Sequence, residues 1–340
     1  MACGWFSSGR ARKKAQDEAP VVSPPPALRL IRVTDEQDGE LLNRGYSYWA
    51  QACRIGGYIF AFVGSVGGYP LFFEVNEETG AVKRRGPLLP YRSTGEGWYF
   101  NANGDVYLCE GPRLLRVNPF TQEATTVFDI SETHPGCRLW QAHSSDDGQV
   151  HNATVDLIVE SGPYPHIGTV VYRNGQQTFY EAIGALDESQ VTADGAYLVI
   201  KENDDNRIIT LATGESRLIT DAEGAVGHSD VGQSFVVGED NILGACVSWN
   251  LPLLVKTALF PTWNMGHLAV RGTRCLLSGP QSLSLVPLAG GSPEHLLDHG
   301  MVGDGTYDTQ VMGNLSPDGA VAAYVSNAAG RMDLYLALLG

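Results

Sequence analysis

A glycine that precedes a short apolar run recurs along this chain at nearly constant spacing. The seven copies are Gly57, Gly104, Gly148, Gly195, Gly232, Gly272 and Gly319. The intervals between them are 47, 44, 47, 37, 40 and 47 residues. A repeat of about 40 residues that is rich in β-strand patterns is typical of propeller blades. The sequence therefore predicts an all-β fold, a seven-bladed β-propeller.

The last repeat shows the internal order of a unit most clearly. The polar turn Asn314–Gly319 is followed by the apolar run Ala320–Ser326, and a second turn, Asn327–Arg331, precedes a segment with leucines at alternate positions. Alternation between turn-rich stretches indicates antiparallel strands joined by hairpins. Glycine adopts positive φ without strain, so we assign the repeated glycines a structural role in these turns.

Both ends of the repeat region fit a closed ring. The last repeat has room for only three strands before Gly340, whereas Leu28–Val33 reads as a strand that precedes the first repeat. We predict that this N-terminal strand is the outer strand of the seventh blade. Closure of this kind removes a sheet edge that could pair with other chains. The propeller domain is accordingly assigned to residues 27–340.

Residues 1–26 differ in composition from the repeats. They contain the basic run Arg10–Lys14 and the stretch Ser23–Pro26, which favours a stiff polyproline conformation. Two interpretations remain open at this stage. The segment is either a flexible N-terminal arm without a fixed partner, or a docking segment that binds a protein partner in a larger assembly through Trp5, Phe6 and the basic run.

The charge of the chain excludes one broad class of ligand for the propeller body. The formal net charge is −15, and a nucleic-acid-binding face needs clustered positive charge to contact phosphates.

No apolar stretch approaches the roughly 20 residues of a membrane-spanning helix, and the first residues lack the pattern of a secretory signal peptide. The six cysteines have no paired spacing. We therefore expect cytoplasmic synthesis, with incorporation into a virus particle as one destination of a tethered propeller.

The central axis of a propeller is the place where side chains from all blades meet, because the innermost strand of each blade runs beside it. Residues five positions before each turn glycine, or four positions in the fifth repeat, are expected to form a ring at one axial mouth. Apart from Ala52, this ring consists of side chains suited to ligand binding: Tyr99, His143, Gln190, His228, His267 and Asn314.

Four members of the ring form a candidate metal site: His143, Gln190, His228 and His267. Imidazole nitrogens together with an amide oxygen suit a divalent ion such as manganese, zinc or calcium, and leave positions open for a ligand. The alternative interpretation is that the ring lines a water-filled funnel. In that case its members hydrogen-bond to one another and to ordered water.

Three segments carry a resemblance to a known family. Gly227–Gly232, the pair Gly266 and His267, and Asn314–Gly319 resemble segments of the seven-bladed propellers that include oligogalacturonate lyases and ulvan lyases. The resemblance extends over most of residues 137–340. In oligogalacturonate lyases, three histidines and a glutamine hold a metal that binds the uronate carboxylate, and a basic side chain abstracts the adjacent proton.

This resemblance implies a metal-dependent polysaccharide lyase that cleaves uronate-containing polymers by β-elimination. The four predicted metal ligands are similar in kind to the family's ligand set, while the catalytic base stays unknown, with Arg138, Arg207 and Arg331 as candidates. The residues by themselves favour another class, a non-enzymatic interaction or glycan-binding propeller tethered by its arm to a larger assembly such as a phage-like particle. Whether the chain is an enzyme is open at this point. The expected partner is a protein or an acidic polysaccharide.

Overall fold

The computed structural model describes residues 28–42, 46–65, 68–90, 97–261, 266–303 and 310–339. Their strands form seven antiparallel sheets, which confirms the all-β, seven-bladed propeller. The predicted N-terminal arm, residues 1–26, lies outside the described residues. No helix in the described part of the chain is long and apolar enough to cross a membrane.

Blades 1 to 4 follow one another along the chain. In blade 1, Leu41–Leu42 and Ala52–Ile55 both pair with the long strand Tyr58–Ser65, and Pro70–Asn76 and Val82–Pro87 complete the sheet. Blade 2 consists of Tyr99–Phe100, Val106–Glu110, Arg113–Val117 and Ala124–Asp129. Blade 3 consists of Cys137–Ser144, Val150–Leu157, His166–Arg173 and Gln176–Glu181. Blade 4 consists of Leu186–Val191, Tyr197–Glu202, Asp205–Thr210 and Glu215–Ile219.

Blades 5 to 7 complete the ring. Two short 3-10 helices, Glu36–Asp38 and Asp221–Glu223, lie in connections. Blade 5 consists of Val226–Val231, Phe235–Asp240, Ala245–Asn250 and Val255–Pro261. Blade 6 consists of His267–Arg271, Arg274–Ser278, Ser282–Pro287 and Glu294–Asp298. Blade 7 consists of Asn314–Leu315, Val321–Ser326 and Asp333–Leu338, together with Arg29–Arg32.

The N-terminal strand closes the ring as predicted. Arg29–Arg32 pairs antiparallel with Asp333–Leu338, and Arg29 stands opposite Leu338. The Arg29 guanidinium also donates to the main-chain oxygens of Glu77, at 2.7 Å, and Glu78, at 2.6 Å. These bonds fix the start of the described chain against both blade 7 and blade 1.

Six of the seven repeated glycines have positive φ, as their turn role requires. Gly232 is the exception: in the fifth blade it is Ser234, two residues later, that has a φ of 54°. The first strand of that blade also contains an irregularity between Gly227 and Asp230, and His228 within it has a φ of 37°. Positions counted back from Gly232 therefore do not correspond structurally to positions counted back from the turn glycines of the other blades.

The hydrophobic core is divided among the blade junctions. Seven clusters of buried residues each join two neighbouring blades. Between blades 4 and 5, for example, Val199 and Ile208 pack in one cluster with Val236 and Trp249. Burial of apolar area is non-directional, so these clusters hold the blades together without fixing their height relative to one another.

Polar side chains supply that register by bonding to the main chain of the next blade. Asn152 of blade 3 accepts from the Val191 amide at 2.8 Å and donates to the Ser189 oxygen at 3.0 Å. Other such bonds join Asn101 to Ser145, Gln190 to Ser229, Asp230 to Val270 and Asn314 to Gln51. Buried polar groups that are satisfied in this way favour a single arrangement of the blades.

The disc has two faces, and each is named after the end of the first strands that lies on it. The entry face is where the first strand of each blade begins, and the turn face is where that strand turns into the second. First strands of neighbouring blades contact one another, for instance His267–Arg271 with both Val226–Val231 and Asn314–Leu315. These strands therefore surround the axis, as predicted.

Candidate functional site

The axis is filled by an aromatic stretch, residues 46–51, which we call the axial segment. The Tyr48 hydroxyl donates to Glu188 Oε2 of blade 4 at 2.5 Å, and Trp49 Nε1 donates to the Ala142 oxygen of blade 3 at 3.0 Å. Tyr48 and Trp49 are buried. Burial, followed by the charge of Glu188, raises the pKa of Tyr48 well above its ordinary value, so the hydroxyl keeps its proton.

Further bonds connect the axial segment to the opposite side of the ring. Arg271 of blade 6 donates to the Tyr48 oxygen, and the Gln51 amide donates to Asn314 Oδ1 of blade 7 at 2.8 Å. The Phe62 amide of blade 1 donates to the Gln51 oxygen at 3.1 Å. Because these partners belong to blades on several sides, the segment crosses the axis and occupies the space that an open funnel would need.

His143 is buried beside the axial segment. Its ring lies 5.6 Å from that of Trp49, nearly stacked, and 5.2 Å from that of Tyr48. Burial, with smaller effects from Arg271 and Lys201, lowers the pKa of His143 to about 3. The imidazole is therefore neutral at physiological pH, and its Nε2 has no hydrogen-bond partner within the described residues.

The turn-face end of the axis holds a small polar cavity. Its volume is about 50 Å³ and its lining includes Tyr99, His143, Asp230 and Arg271. Arg271 Nη1 lies 3.1 Å from Asp230 Oδ2, and burial, opposed by this guanidinium, raises the pKa of Asp230 to about 6. A space of this size admits a few water molecules and no polymer.

Two predicted site residues meet on the entry side. The rings of His228 and His267 are 5.8 Å apart between centroids, edge to face. His267 is buried, and its Nε2 donates to Gln310 Oε1 at 2.9 Å. Its other nitrogen, Nδ1, has no hydrogen-bond partner in the described part of the chain. Burial lowers the pKa of His267. The side chain of His228 is 58% exposed, and its Nδ1 lies 3.8 Å from Glu239 Oε2.

The other predicted site residues are occupied by structural bonds. Gln190 Nε2 donates to the Ser229 oxygen at 3.4 Å, and Asn314 Oδ1 accepts from the Gln51 amide. The Tyr99 hydroxyl lies 2.6 Å from Ser144 Oγ. All three side chains are buried, and each has a hydrogen-bond partner within the fold.

The four predicted metal ligands stand at two heights along the axis. His143 and Gln190 are the penultimate residues of their strands, near the turn face, whereas His267 is the first residue of its strand, near the entry face, and His228 is the third. No group of three or more His, Cys, Asp or Glu side chains within the described residues is arranged to hold a metal. The geometry therefore does not fit a site for manganese, zinc or calcium made from these four residues, and the metal ion stays a prediction.

The three arginines considered as catalytic bases are engaged in ion pairs. Arg138 pairs with buried Asp156 at 3.0 Å and stacks against Trp140 and Tyr164. Arg207 pairs with Glu202 at 3.0 Å, and Arg331 with Asp333 at 3.1 Å. Each of the three guanidinium groups thus has a carboxylate partner within the fold.

A large concave surface lies on the entry face over blades 4 and 5, and we call it the acidic groove. It has a volume of about 1040 Å³, and Tyr46 and Tyr48 of the axial segment lie at its inner end. Six carboxylates line it: Asp187, Glu188, Asp204, Asp205, Asp221 and Glu239. Lys201 is the one lysine or arginine among its described lining residues, and it pairs with Glu188.

The chain conformation brings these carboxylates together. Asn203 and Asp204 both have positive φ, which forms a tight hairpin turn at the end of the strand Tyr197–Glu202. The Asp205 carboxylate accepts from the Asp221 amide at 2.8 Å, which ties that turn to the following connection. Burial, followed by the charge of Glu188, raises the pKa of Asp187. Burial is the main cause of this raised pKa, and Lys201, His166 and His228 oppose it.

Sequence reasoning missed both the axial segment and the acidic groove. No role is assigned at the sequence level to Asp204, Asp205, Tyr46 or Tyr48. A usable signal was present: in blades 4 and 5, acidic residues recur at the strand ends that face the entry side, at Asp187, Asp204, Asp221 and Glu239. Turn glycines mark the other face, so this signal required attention to the opposite ends of the strands.

Comparisons with known proteins agree with the architecture. No family model matches the chain, and no curated protein matches it in sequence. Among solved structures, an oligogalacturonate lyase from Vibrio parahaemolyticus superposes with a TM-score of 0.68 at 11% identity, covering 92% of this chain and 97% of that one.

Two further structures are similar at comparable coverage. An oligogalacturonate lyase in complex with manganese has a TM-score of 0.69 at 16% identity, covering 93% of this chain and 98% of that one. A chain of the mitotic checkpoint complex has a TM-score of 0.55 at 12% identity, covering 100% and 99%. At such identities the likeness shows the fold alone: this chain has the seven-bladed propeller fold that oligogalacturonate lyases also have.

Proposed function

We propose that this protein is a non-enzymatic binding propeller and that its ligand site is the acidic groove. The observation that supports the proposal is the charge of the groove: six carboxylates and one paired lysine line a concavity of about 1040 Å³. A surface of this kind attracts a cationic partner and repels a polyanion. The ligand is therefore a lysine- or arginine-rich segment of a protein.

The interior of the axis supports the same conclusion. A reaction centre needs space for a substrate beside its acid, base or metal. Residues 46–51 take up that space at the centre of the axis, whereas a cavity of about 710 Å³ lies beside His228 and His267. The buried polar groups of the axis bond to strands of neighbouring blades. Their role is to position blades, and the groove combines its volume with a concentration of negative charge that suits a partner.

A metal-assisted lyase of uronate polymers is the second candidate. It rests on the adjacent rings of His228 and His267 with Gln310 beside them, and on the fold shared with oligogalacturonate lyases. Two features count against it: the acidic groove next to His228 repels polyuronate, and the candidate arginine bases are ion-paired. An acidic polysaccharide is for the same reason the weaker choice of partner.

The experiment compares a cationic and an anionic probe on the full chain. A fluorescent octalysine peptide and a labelled galacturonate oligomer are titrated by anisotropy, the latter with and without added Mn²⁺. We expect binding of octalysine that weakens as salt is raised. Binding of the galacturonate oligomer, or release of unsaturated uronate from it, with no binding of octalysine would overturn the proposal.

Isosteric neutralisation locates the site. The groove variant carries Asp187→Asn, Asp204→Asn and Glu239→Gln, and it should bind octalysine at least about tenfold more weakly, since each lost charge contributes on the order of 0.5–1 kcal/mol. The control variant carries Glu132→Gln, Glu215→Gln and Glu294→Gln, three exposed carboxylates outside the groove. It changes net charge equally and should bind like the unmodified chain. Equal weakening in both variants would refute a localised site.

A further inference from the structure

The acidic groove has features besides charge that indicate an elongated, nitrogen-rich occupant. Gln141 lines the groove, and its Oε1 is shielded from solvent without a hydrogen-bond partner in the described part of the chain. Gln141 also has a φ of 48°, within the irregularity of its strand between Trp140 and His143. A buried acceptor without a donor costs free energy, and an N–H group of a ligand would satisfy it.

The rim of the groove is apolar on two sides. Ile183, two residues before the lining residue Ala185, is 62% exposed. Ile242 and Leu243, which follow the lining residue Asn241, are 60% and 57% exposed. A ligand that fits the groove therefore combines positive charges with neighbouring large apolar side chains.

The chain itself contains a segment of this composition. The basic run Arg10–Lys14 has four positive charges in five residues, and Trp5 and Phe6 precede it. We propose that this segment, from the same or a second copy of the chain, occupies the acidic groove. The inference rests on the proposed function, because it assigns an occupant to the same site.

Covalent geometry allows the segment to reach the groove. Arg29 is fixed by its bonds to Glu77 and Glu78 on the rim of the disc. From Lys14 to Leu28 there are 14 peptide steps, which extend at most about 45–50 Å. A folded chain of this length has a radius of gyration of roughly 20 Å, so this reach is comparable to the width of the disc.

The first test maps contacts in the full chain by carbodiimide cross-linking, which joins a lysine to a carboxylate that it touches. At low salt we expect links from Lys13 or Lys14 to Asp187, Asp204 or Glu239. These links should disappear at high salt and in the groove variant, yet persist in the control variant. A link between Lys83 and Glu74, which lie 3.6 Å apart, shows that the reagent has worked.

Mixing labelled and unlabelled protein separates links within one chain from links between two copies, and either result supports the proposal. Links from Lys13 and Lys14 to carboxylates outside the groove, unchanged in the groove variant, would overturn it. Absence of any link from Lys13 or Lys14, while the link between Lys83 and Glu74 forms, would also overturn the proposal.

The second test separates this inference from the proposed function. A variant with Arg10→Ser, Arg12→Ser, Lys13→Ser and Lys14→Ser removes the internal competitor, so it should bind octalysine about tenfold more tightly than the unmodified chain. Unchanged affinity would refute docking of the segment while the groove remains a cation site. Failure of this variant to bind octalysine at all would instead refute the proposed function itself.

Discussion

The axis and the acidic groove differ in how their charges are balanced. Along the axis, Tyr48 donates to Glu188, Lys201 pairs with Glu188, and Arg271 pairs with Asp230, so each charge has an internal partner. Five further carboxylates line the groove, and its one described lysine is the Lys201 already paired with Glu188. The comparison teaches that the polar residues at the centre of this fold hold it together, and that unbalanced charge marks the surface left for a partner.

The largest expected effect on stability comes from truncating Trp49 in the axial segment. Trp49→Ala removes a side chain that is 1% exposed and leaves a cavity between blades 2 and 3. We expect a loss of about 3–5 kcal/mol in the free energy of unfolding, measured by urea denaturation. Trp140→Ala, at a half-buried position on the same strand as Ala142, should cost clearly less. Equal losses would mean that the axial segment is not part of the core.

A smaller effect should follow from breaking one bond between blades. Asn314→Leu keeps the number of side-chain heavy atoms but leaves the buried Gln51 amide without its acceptor, which costs about 1–3 kcal/mol. The same change at Asn241, an exposed lining residue of the groove, should alter stability by no more than about 0.5 kcal/mol. Urea denaturation of both variants checks the difference. A stable Asn314→Leu protein would show that the polar bonds between blades are dispensable.

Acid should weaken the axis through His143. Its pKa is about 3 in the folded protein, against an ordinary value of 6.5. Between these values the unfolded chain binds a proton that the folded chain does not, so stability is complete above about pH 6.5 and falls as the pH is lowered. From about pH 7 to pH 5 the loss is about 1.5–2 kcal/mol.

Replacement of His143 isolates this contribution. His143→Phe keeps an aromatic ring beside Trp49 and should flatten the pH dependence of the unfolding free energy over that interval. His295→Phe, at an exposed position, should leave the dependence unchanged. If the two variants lose stability in parallel between pH 7 and pH 5, acid acts elsewhere in the molecule.

The smallest expected effect has the opposite sign and lies in the groove. Asp187→Asn with Asp204→Asn removes two negative charges from a groove lined by four further carboxylates, and asparagine tolerates the positive φ at position 204. We expect a gain of up to about 0.5–1 kcal/mol at low salt that shrinks as salt is raised. Thermal unfolding at two ionic strengths measures it. A loss of stability would show that these carboxylates support the fold.

The fold was predictable because its repeats are marked by local chemistry. Turn glycines at intervals of 37 to 47 residues fix the number of blades, and the strand pattern at Leu28–Val33 predicts the closing strand. Both signals depend on residues that are close in sequence. The same counting is displaced in the fifth blade, because Gly232 is not the positive-φ residue of its turn.

The site was predictable only in part. His228 and His267 do meet, but His143 and Gln190 lie nearer the other end of the axis, and spacing alone carries no information about height in the ring. The role of the axial segment depends on contacts with residues far away in sequence, such as Tyr48 with Glu188 and Gln51 with Asn314. The groove emerges only when two neighbouring blades are assembled side by side.

Closure by the N-terminal strand has a consequence for biosynthesis. Arg29 pairs with Leu338, so the strand Arg29–Arg32 leaves the ribosome long before the strand with which it pairs. At about 5–20 residues per second, the intervening chain takes on the order of 15–60 seconds to be made. During that interval the edge of the strand Asp333–Leu338 does not yet exist, and Arg29–Arg32 remains open to pairing with another nascent chain. Its two arginines, at either end of the strand, oppose such pairing by charge repulsion between copies.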